Sequence, residues 1–259
     1  MLAHDRSGTG PPLVLLHGVG LDRRTWRPVR DLLAEEREVI ALDLPGHGES
    51  PSLPAGVRYD VAGYVGAVRE AIGALGLDRP HVAGNSLGGA IALELARTGD
   101  VASAVALSPI GFWNTREIRA TMASLRLSRA LARLSGPIGP TLASIAAVRL
   151  LLFRPYYGHP ARLSSADARA AAEAFAASAA LPATLPCTRR YRFAPDPPAR
   201  VPVTIGWGED DRLLPPRQAL RAREMLPAAR HVILPGCGHV PMPDDPERVA
   251  SLLLSSPDR

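Results

Sequence analysis

The sequence contains no lysine and only two cysteines. Every basic residue other than histidine is arginine, and Cys187 and Cys237 lie far apart without the spacing of metal ligands. This composition argues against a disulfide framework and against a zinc site. No run approaches the roughly 18 to 20 apolar residues that span a bilayer, so we expect no integral membrane segment. Residues 1–10 lack the charged and then apolar pattern of a signal peptide, which predicts a cytoplasmic protein.

The sequence also lacks any block of like charge, although its net charge is +5. Arginines alternate with acidic residues over most of the chain, and no basic stretch contains interleaved aromatic residues. Nucleic-acid binding is therefore not favoured. The positive excess is concentrated in residues 112–200, which carry 13 arginines against four acidic residues.

Strand and helix patterns alternate over residues 11–109 and resume at residue 201. Short apolar runs such as residues 13–16 and 38–42 are typical of strands buried on both faces. Residues 2–6 could add one further strand. We predict an α/β fold with a mostly parallel sheet of about seven or eight strands, flanked by helices. Residues 1–111 and 201–259 would form its core, and residues 112–200 a helical cap with helices at 115–135, 141–153 and 165–181.

A serine lies where a predicted strand turns into a predicted helix. Residues 84–88 read G-N-S-L-G, with a strand-like run at 81–83 before them and a strong helix former at 90–96 after them. Small residues on both sides allow a sharp turn that lifts the hydroxyl of Ser86 out of the backbone. The helix N-terminus would face any anion that forms at this serine. The pattern indicates a nucleophile, and the alternative is a plain glycine-rich turn.

A base and an acid follow later strands of the same predicted sheet. Asp210 and Asp211 come after the strand at 201–205, and His239 comes after the strand at 231–234. Because the carboxyl ends of parallel strands meet at one edge, we expect these side chains near Ser86. A serine hydroxyl becomes a nucleophile when an imidazole accepts its proton and a third group orients that imidazole.

Five motifs follow one another in a fixed order. They are H-G-V-G at 17–20, D-L-P-G-H-G-E-S at 43–50, the serine turn, G-E-D-D-R-L-L-P at 208–215 and G-H at 238–239. In these motifs the chain resembles the serine-nucleophile branch of the α/β-hydrolase superfamily over nearly its whole length. The resemblance implies a triad of Ser86, Asp211 and His239, with Asp211 chosen over Asp210 because the family's acid lies three residues after a glycine and four before a proline. It implies an oxyanion hole from the backbone N–H groups of Val19 and Leu87, and it requires no metal or cofactor.

The serine also narrows the range of expected reactions. It argues against the haloalkane dehalogenases and epoxide hydrolases of this fold, because those enzymes use aspartate at this position. The H-G-V-G-L opening is similar to that of enol-lactonases and haloperoxidase-type esterases, which predicts hydrolysis of a carboxylic ester or lactone. One alternative is a carbon–carbon hydrolase of the meta-cleavage type, which residues 85–86 and 237–239 also resemble. Those enzymes usually carry tryptophan where this chain has Val240. Another alternative is a ligand-binding protein of this fold without turnover.

Contacts with a small ester, lactone or ketone substrate are expected from Gly18, Asn85, Trp113, Arg154 and Val240. The basic cap favours an anionic substrate, read by Arg154 and by the arginines at 189, 190 and 192. The alternative is a solvated face, since Arg119, Arg126, Arg129 and Arg133 share one side of a helix. A cap that acts at a membrane surface is less favoured, because residues 119–133 lack Trp and Phe. The protein would be a monomer or a homodimer.

Overall fold

The structure is a computed structural model that describes residues 1–194 and 199–255. One sheet of seven strands runs through these residues. The strands are β1 (His4–Ser7), β2 (Pro12–Leu16), β3 (Glu38–Leu42), β4 (His81–Asn85), β5 (Ser103–Leu107), β6 (Val203–Gly208) and β7 (Arg230–Leu234). Their order across the sheet is β1-β3-β2-β4-β5-β6-β7, and β1 alone of these strands runs antiparallel to its neighbour. The carboxyl ends of β2, β4, β6 and β7 therefore lie at the same edge.

Both faces of the sheet are buried, which explains why the strands are continuous apolar runs. Val14 and Leu16 of β2 point into one hydrophobic cluster, whereas Leu13 and Leu15 point into the other. The same alternation continues across the central strands, as period-2 side-chain geometry requires. Each face needs a layer of helices to exclude water from these side chains.

Ten α-helices lie in the described residues. They are α1 (Arg27–Ala34), α2 (Val61–Ala74), α3 (Leu87–Thr98), α4 (Thr115–Leu134), α5 (Gly139–Ala143), α6 (Ala146–Leu152), α7 (Ser165–Ala177), α8 (Leu181–Thr188), α9 (Arg217–Met225) and α10 (Pro246–Leu254). Helices α2 and α3 supply side chains to the first cluster, and α1 and α10 to the second. The predicted α/β fold and its mostly parallel sheet are confirmed.

The helical insertion, α4 to α8, lies between β5 and β6 and contributes no strand to the sheet among the described residues. Asn114 opens α4 with a capping box closed by Glu117, and Ser164 caps α7 through the Asp167 N–H at 3.0 Å. The predicted helix at 141–153 is divided into α5 and α6, because the Ser144 hydroxyl donates to the Thr141 carbonyl and Ile145 is extended. That the insertion forms a separate cap stays a prediction.

Three further features of the sequence prediction changed in the structure. The expected strand at 2–6 is β1, shifted to His4–Ser7 and paired with the edge of β3. The predicted helix at 165–181 ends at Ala177, where Ser178 leaves helical geometry and α8 begins three residues later. Helix α10 was not predicted. Residues 195–198 and 256–259 of the predicted domains lie outside the described residues. No helix of the described ranges has the length and apolarity to cross a bilayer.

Candidate active site

Ser86 lies in a tight turn between β4 and α3, at the carboxyl edge of the sheet. Its φ of 57° and ψ of −111° are strained for a residue with a side chain. The neighbouring glycines are required by close approach: a Cβ on Gly84 would lie 2.1 Å from the Gly88 carbonyl oxygen, and one on Gly88 would lie 2.1 Å from that of Leu16. The turn thus presents the Ser86 hydroxyl at the first turn of α3, as the spacing predicts.

Two backbone N–H groups beside Ser86 have no acceptor among the described residues. Leu87 is the first residue of α3, where N–H groups lack helical partners, and Val19 follows the end of β2. Both residues line the same cavity as Ser86. At Gly18 a Cβ would come within 3.3 Å of the Ser86 Cβ, so a glycine lets the Val19 loop approach the serine.

The histidine and one of the two candidate acids are in contact. His239 Nδ1 lies 2.8 Å from Asp211 Oδ2, and both side chains are buried. The other oxygen, Asp211 Oδ1, accepts the Leu213 and Leu214 N–H groups at 2.9 and 2.7 Å. Since Asp211 holds no proton to donate when ionised, this geometry places the His239 proton on Nδ1 and leaves Nε2 as a base. Asp210 makes no such contact.

A cavity extends from Ser86 into the helical insertion. Its described lining contains no arginine, aspartate or glutamate, and the only titratable polar groups are His239 and the hydroxyls of Tyr156 and Tyr157. Large apolar side chains dominate the walls and come from both the core and the insertion: Leu21, Ile110, Trp113, Met122, Leu125, Leu131, Leu152, Phe153, Phe175 and Leu185. The cavity and its open mouth together enclose about 1280 Å³. This is an environment for an uncharged, apolar group.

Comparison with known proteins identifies the family. The model of the alpha/beta hydrolase family matches residues 13–252. This chain is a member of that family. It is 32% identical over 264 residues to an uncharacterised protein of Mycobacterium tuberculosis, covering 95% of this chain and 75% of the relative. A solved bacterial membrane phospholipase A is 30% identical with a TM-score of 0.78 and coverage of 98% and 81%. An esterase of Thermogutta terrifontis is 25% identical, with a TM-score of 0.71 and coverage of 98% and 91%.

Four of the five predicted substrate contacts of this α/β hydrolase line the cavity: Gly18, Asn85, Trp113 and Val240. Asn85 also has a positioning contact. Its side-chain Nδ2 donates to the carbonyl oxygens of Leu107 and His239, at 3.1 and 2.8 Å. The amide therefore ties the end of β5 to the histidine loop, a role that the sequence did not indicate. The buried Asn85 Oδ1 has no partner.

The arginines of the insertion are not in the cavity, which corrects their predicted role as substrate contacts. Arg154 donates to the Gly158 carbonyl at 2.5 Å and is absent from the cavity lining. Arg189, Arg190 and Arg192 lie around a shallow depression on the outer surface, together with Arg119. Burying unpaired guanidinium groups in an apolar cavity is costly, so the chain directs them to solvent and to carbonyl oxygens. No cavity residue of the described chain favours an anionic substrate.

Two further buried residues, His17 and Cys237, lie in the loops that carry Val19 and His239. His17 Nε2 accepts the Leu44 N–H at 2.9 Å, and Nδ1 lies 2.7 Å from the Gly18 carbonyl oxygen. Burial lowers the pKa of His17, which keeps its imidazole neutral. Through these two hydrogen bonds the neutral imidazole holds the loop that carries Val19. Burial raises the pKa of the Cys237 thiol to about 12, so this cysteine is not a thiolate nucleophile near neutral pH. No group of three or more His, Cys, Asp or Glu side chains suited to a metal occurs in the described part of the chain.

Asp244 is a buried carboxylate that the sequence analysis missed. Its oxygens accept three backbone N–H groups, those of Gly158, His159 and Gly238, each at 2.8 Å. The Val240 N–H in turn donates to the Tyr156 carbonyl at 2.9 Å. The loop that carries His239 is thereby joined to residues 156–159 of the insertion. The sequence places Asp244 only five residues after His239, which is a signal for a role in the same loop. Its partners Gly158 and His159 come from a distant segment, so the sequence alone did not indicate this contact.

We expect the Asp244→Ala substitution to lower kcat by about 10 to 100-fold while KM changes little, because a loop shift of about 1 Å displaces His239 from the reacting atoms. Asp244→Asn should retain most of the activity, because its amide oxygen can still accept the Gly158 and Gly238 N–H groups. Steady-state kinetics with a chromogenic ester would measure both.

The matched control for Asp244 is its neighbour, Asp245→Ala. Asp245 caps α10 by accepting the Arg248 N–H at 3.1 Å, so its loss should cost about 1 kcal/mol of stability with unchanged kcat. Thermal unfolding separates a loss of stability from a loss of rate. A wild-type kcat for folded Asp244→Ala protein would show that this carboxylate does not position the histidine.

Proposed function

We propose that this chain is a serine hydrolase of neutral carboxylic esters whose acyl group is apolar. The observation that carries the proposal is the charge-free cavity that contains Ser86, His239 and two unpaired backbone N–H groups. Fold alone does not select a substrate, because this architecture supports many reactions. The apolar walls of the cavity support this choice of substrate, because they are complementary to hydrocarbon.

In the proposed reaction, Ser86 Oγ attacks the ester carbonyl carbon while His239 Nε2 accepts the hydroxyl proton. Asp211 stabilises the imidazolium that forms, without taking up the proton itself. The N–H groups of Val19 and Leu87 stabilise the oxyanion, and each such donor is typically worth about 3 kcal/mol. His239 then protonates the alcohol oxygen as its bond to the acyl carbon breaks. A water molecule that His239 deprotonates attacks the acyl carbon, the bond to Ser86 Oγ breaks, and His239 returns the proton to Ser86 Oγ as the acid leaves.

The acyl chain would extend from Ser86 along the inner side of α4. Met122 and Leu125 lie nearest the core, and Leu131 lies nearer the outside. A carboxylate on this chain would be buried without a partner, which costs several kcal/mol. Two similar proteins of known structure, an esterase and a phospholipase A, agree with ester chemistry.

A series of p-nitrophenyl esters from acetate to dodecanoate tests the proposal. We expect kcat/KM to rise with acyl length by about fourfold for each methylene that becomes buried, as roughly 0.8 kcal/mol per CH₂ implies. Esters of dicarboxylic acids with a free terminal carboxylate should react at least about 100-fold more slowly than neutral esters of the same length. The methyl esters of these acids are the controls for size.

Three outcomes would contradict this proposal. A preference for the carboxylate-bearing ester would restore the anionic substrate that the arginine-rich insertion first suggested. With a lactone and a β-diketone added to the series, faster cleavage of the β-diketone than of any ester or lactone would favour the carbon–carbon hydrolase. Absence of all turnover, with binding of the same compounds retained, would indicate a ligand-binding protein.

A further inference from the structure

The helical insertion exposes a concentration of large aliphatic side chains. Nine of the 13 exposed large hydrophobic residues in the described chain lie between positions 127 and 152. We call this group the aliphatic tip, and it comprises Leu127, Leu131, Leu134, Ile138, Leu142, Ile145, Leu150, Leu151 and Leu152. Leu134 is 86% exposed and Leu151 is 77% exposed. Scattered exposed leucines are ordinary, but nine exposed large aliphatic residues from one segment of 26 residues point to an interaction surface.

Along the chain, the segment that carries the aliphatic tip has charge of one sign. Residues 118–166 contain seven arginines and no aspartate or glutamate, and residues 134–148 contain no charged residue at all. Arg126 and Arg133 are exposed and have no acidic partner among the described residues. At about 100° per residue, these two arginines share one side of α4, and Leu127, Leu131 and Leu134 share the adjacent side. Such a helix presents an apolar contact next to positive charge.

The aliphatic tip is continuous with the cavity. Leu131 and Leu152 are each 40% exposed, and both also line the cavity that contains Ser86. An acyl chain that leaves an apolar environment at the tip would therefore enter a mostly apolar cavity that also contains the serine. This continuity gives the exposed leucines a use that a simple solvent-facing surface would not have.

We propose that the aliphatic tip docks on the surface of an anionic lipid aggregate. Leucine and isoleucine side chains would enter the apolar boundary, and Arg126 and Arg133 would contact lipid headgroups. Residues 119–133 contain no Trp or Phe, so the leucines and isoleucines supply the apolar contact instead. The docked lipid is then the source of the esters that reach Ser86, and this step rests on the proposed function.

A second copy of the chain fits the same surface less well. A twofold contact brings identical patches together, so it would gather the arginines of both copies at one interface, with no acidic residue from 118–166 to compensate. Like-charge contacts of this kind are strongly unfavourable at an interface. Anionic headgroups complement the same arginines.

Vesicle sedimentation tests docking without turnover. Full-length Ser86→Ala protein is mixed with vesicles of phosphatidylglycerol and phosphatidylcholine, or of phosphatidylcholine alone, and the bound fraction is measured. We expect binding to the anionic vesicles, reduced at least about tenfold by the combined Leu134→Ser, Ile138→Ser and Leu151→Ser substitutions. Arg126→Gln and Arg133→Gln should each reduce it about fivefold, and phosphatidylcholine alone should bind less.

The matched control variant replaces three exposed aliphatic residues outside the insertion, Val57, Leu220 and Ile233, with serine. It should bind anionic vesicles as well as the parent protein does. In the chain with Ser86 intact, the three tip substitutions should leave hydrolysis of soluble p-nitrophenyl acetate unchanged. The inference is overturned if the parent does not bind anionic vesicles, or if the control variant loses binding as much as the tip variant. It is also overturned if the tip substitutions abolish a dimer seen without lipid. Vesicle binding in a protein that hydrolyses no ester would reject the proposed function alone.

Discussion

Replacement of Ser86 by alanine is expected to lower kcat for ester hydrolysis by about 10⁵ to 10⁶-fold, the loss typical of removing a serine nucleophile. The substitution should leave the fold intact, because it removes only the hydroxyl. The Ser86 N–H still donates to the Leu107 carbonyl at 2.9 Å, and the Ser86 carbonyl still accepts the Ala90 N–H at 3.1 Å. A fluorophosphonate probe should label the wild-type protein and fail to label the variant.

Ser108 provides a matched control for Ser86. It follows the neighbouring strand β5, is buried, and has a positive φ of 42°. Its hydroxyl has no partner, and Ser108 does not line the cavity. Ser108→Ala should therefore keep both activity and probe labelling. Equal labelling of the Ser86→Ala protein would locate the reactive nucleophile elsewhere and would reject the proposed mechanism.

The Asp211→Asn substitution is expected to lower kcat by about 10⁴-fold, with little change in thermal stability. The asparagine oxygen can still accept the Leu213 and Leu214 N–H groups, so the loop should keep its shape. Its NH₂ group would then face His239 Nδ1 and force the proton onto Nε2. In that tautomer the imidazole cannot accept the Ser86 proton, so the nucleophile is not activated.

The neighbouring Asp210→Asn variant is the control that assigns the acid. Asp210 is only partly buried, and its N–H donates to the Cys237 carbonyl at 2.9 Å whether the side chain is acid or amide. We expect kcat within about twofold of wild type, as for a surface substitution away from the reacting groups. If Asp210→Asn loses the larger factor and Asp211→Asn does not, the contact between Asp211 and His239 is not the catalytic one.

Local sequence alone predicted the features that depend on near neighbours in the chain. Gly84 and Gly88 flank Ser86 because backbone atoms pass within about 2 Å of where their Cβ atoms would be, and that constraint appears directly as a motif. The strand before the serine and the helix after it follow from short apolar runs and good helix formers. Since parallel strands end at one edge, the order of the motifs also predicted that Ser86, Asp211 and His239 would lie at the same edge.

The tertiary structure decided which side of each element faces the cavity. The sequence placed 13 arginines in residues 112–200 but could not show their direction, because a solvated face and a binding face have the same helical spacing. The structure puts apolar residues inside and Arg154 against a carbonyl oxygen, since an unpaired buried cation is costly. Asp244 and Asn85 likewise gained their roles from partners more than 80 residues away. Local spacing was therefore enough to predict the candidate nucleophile, whereas the proposed substrate preference rests on long-range packing.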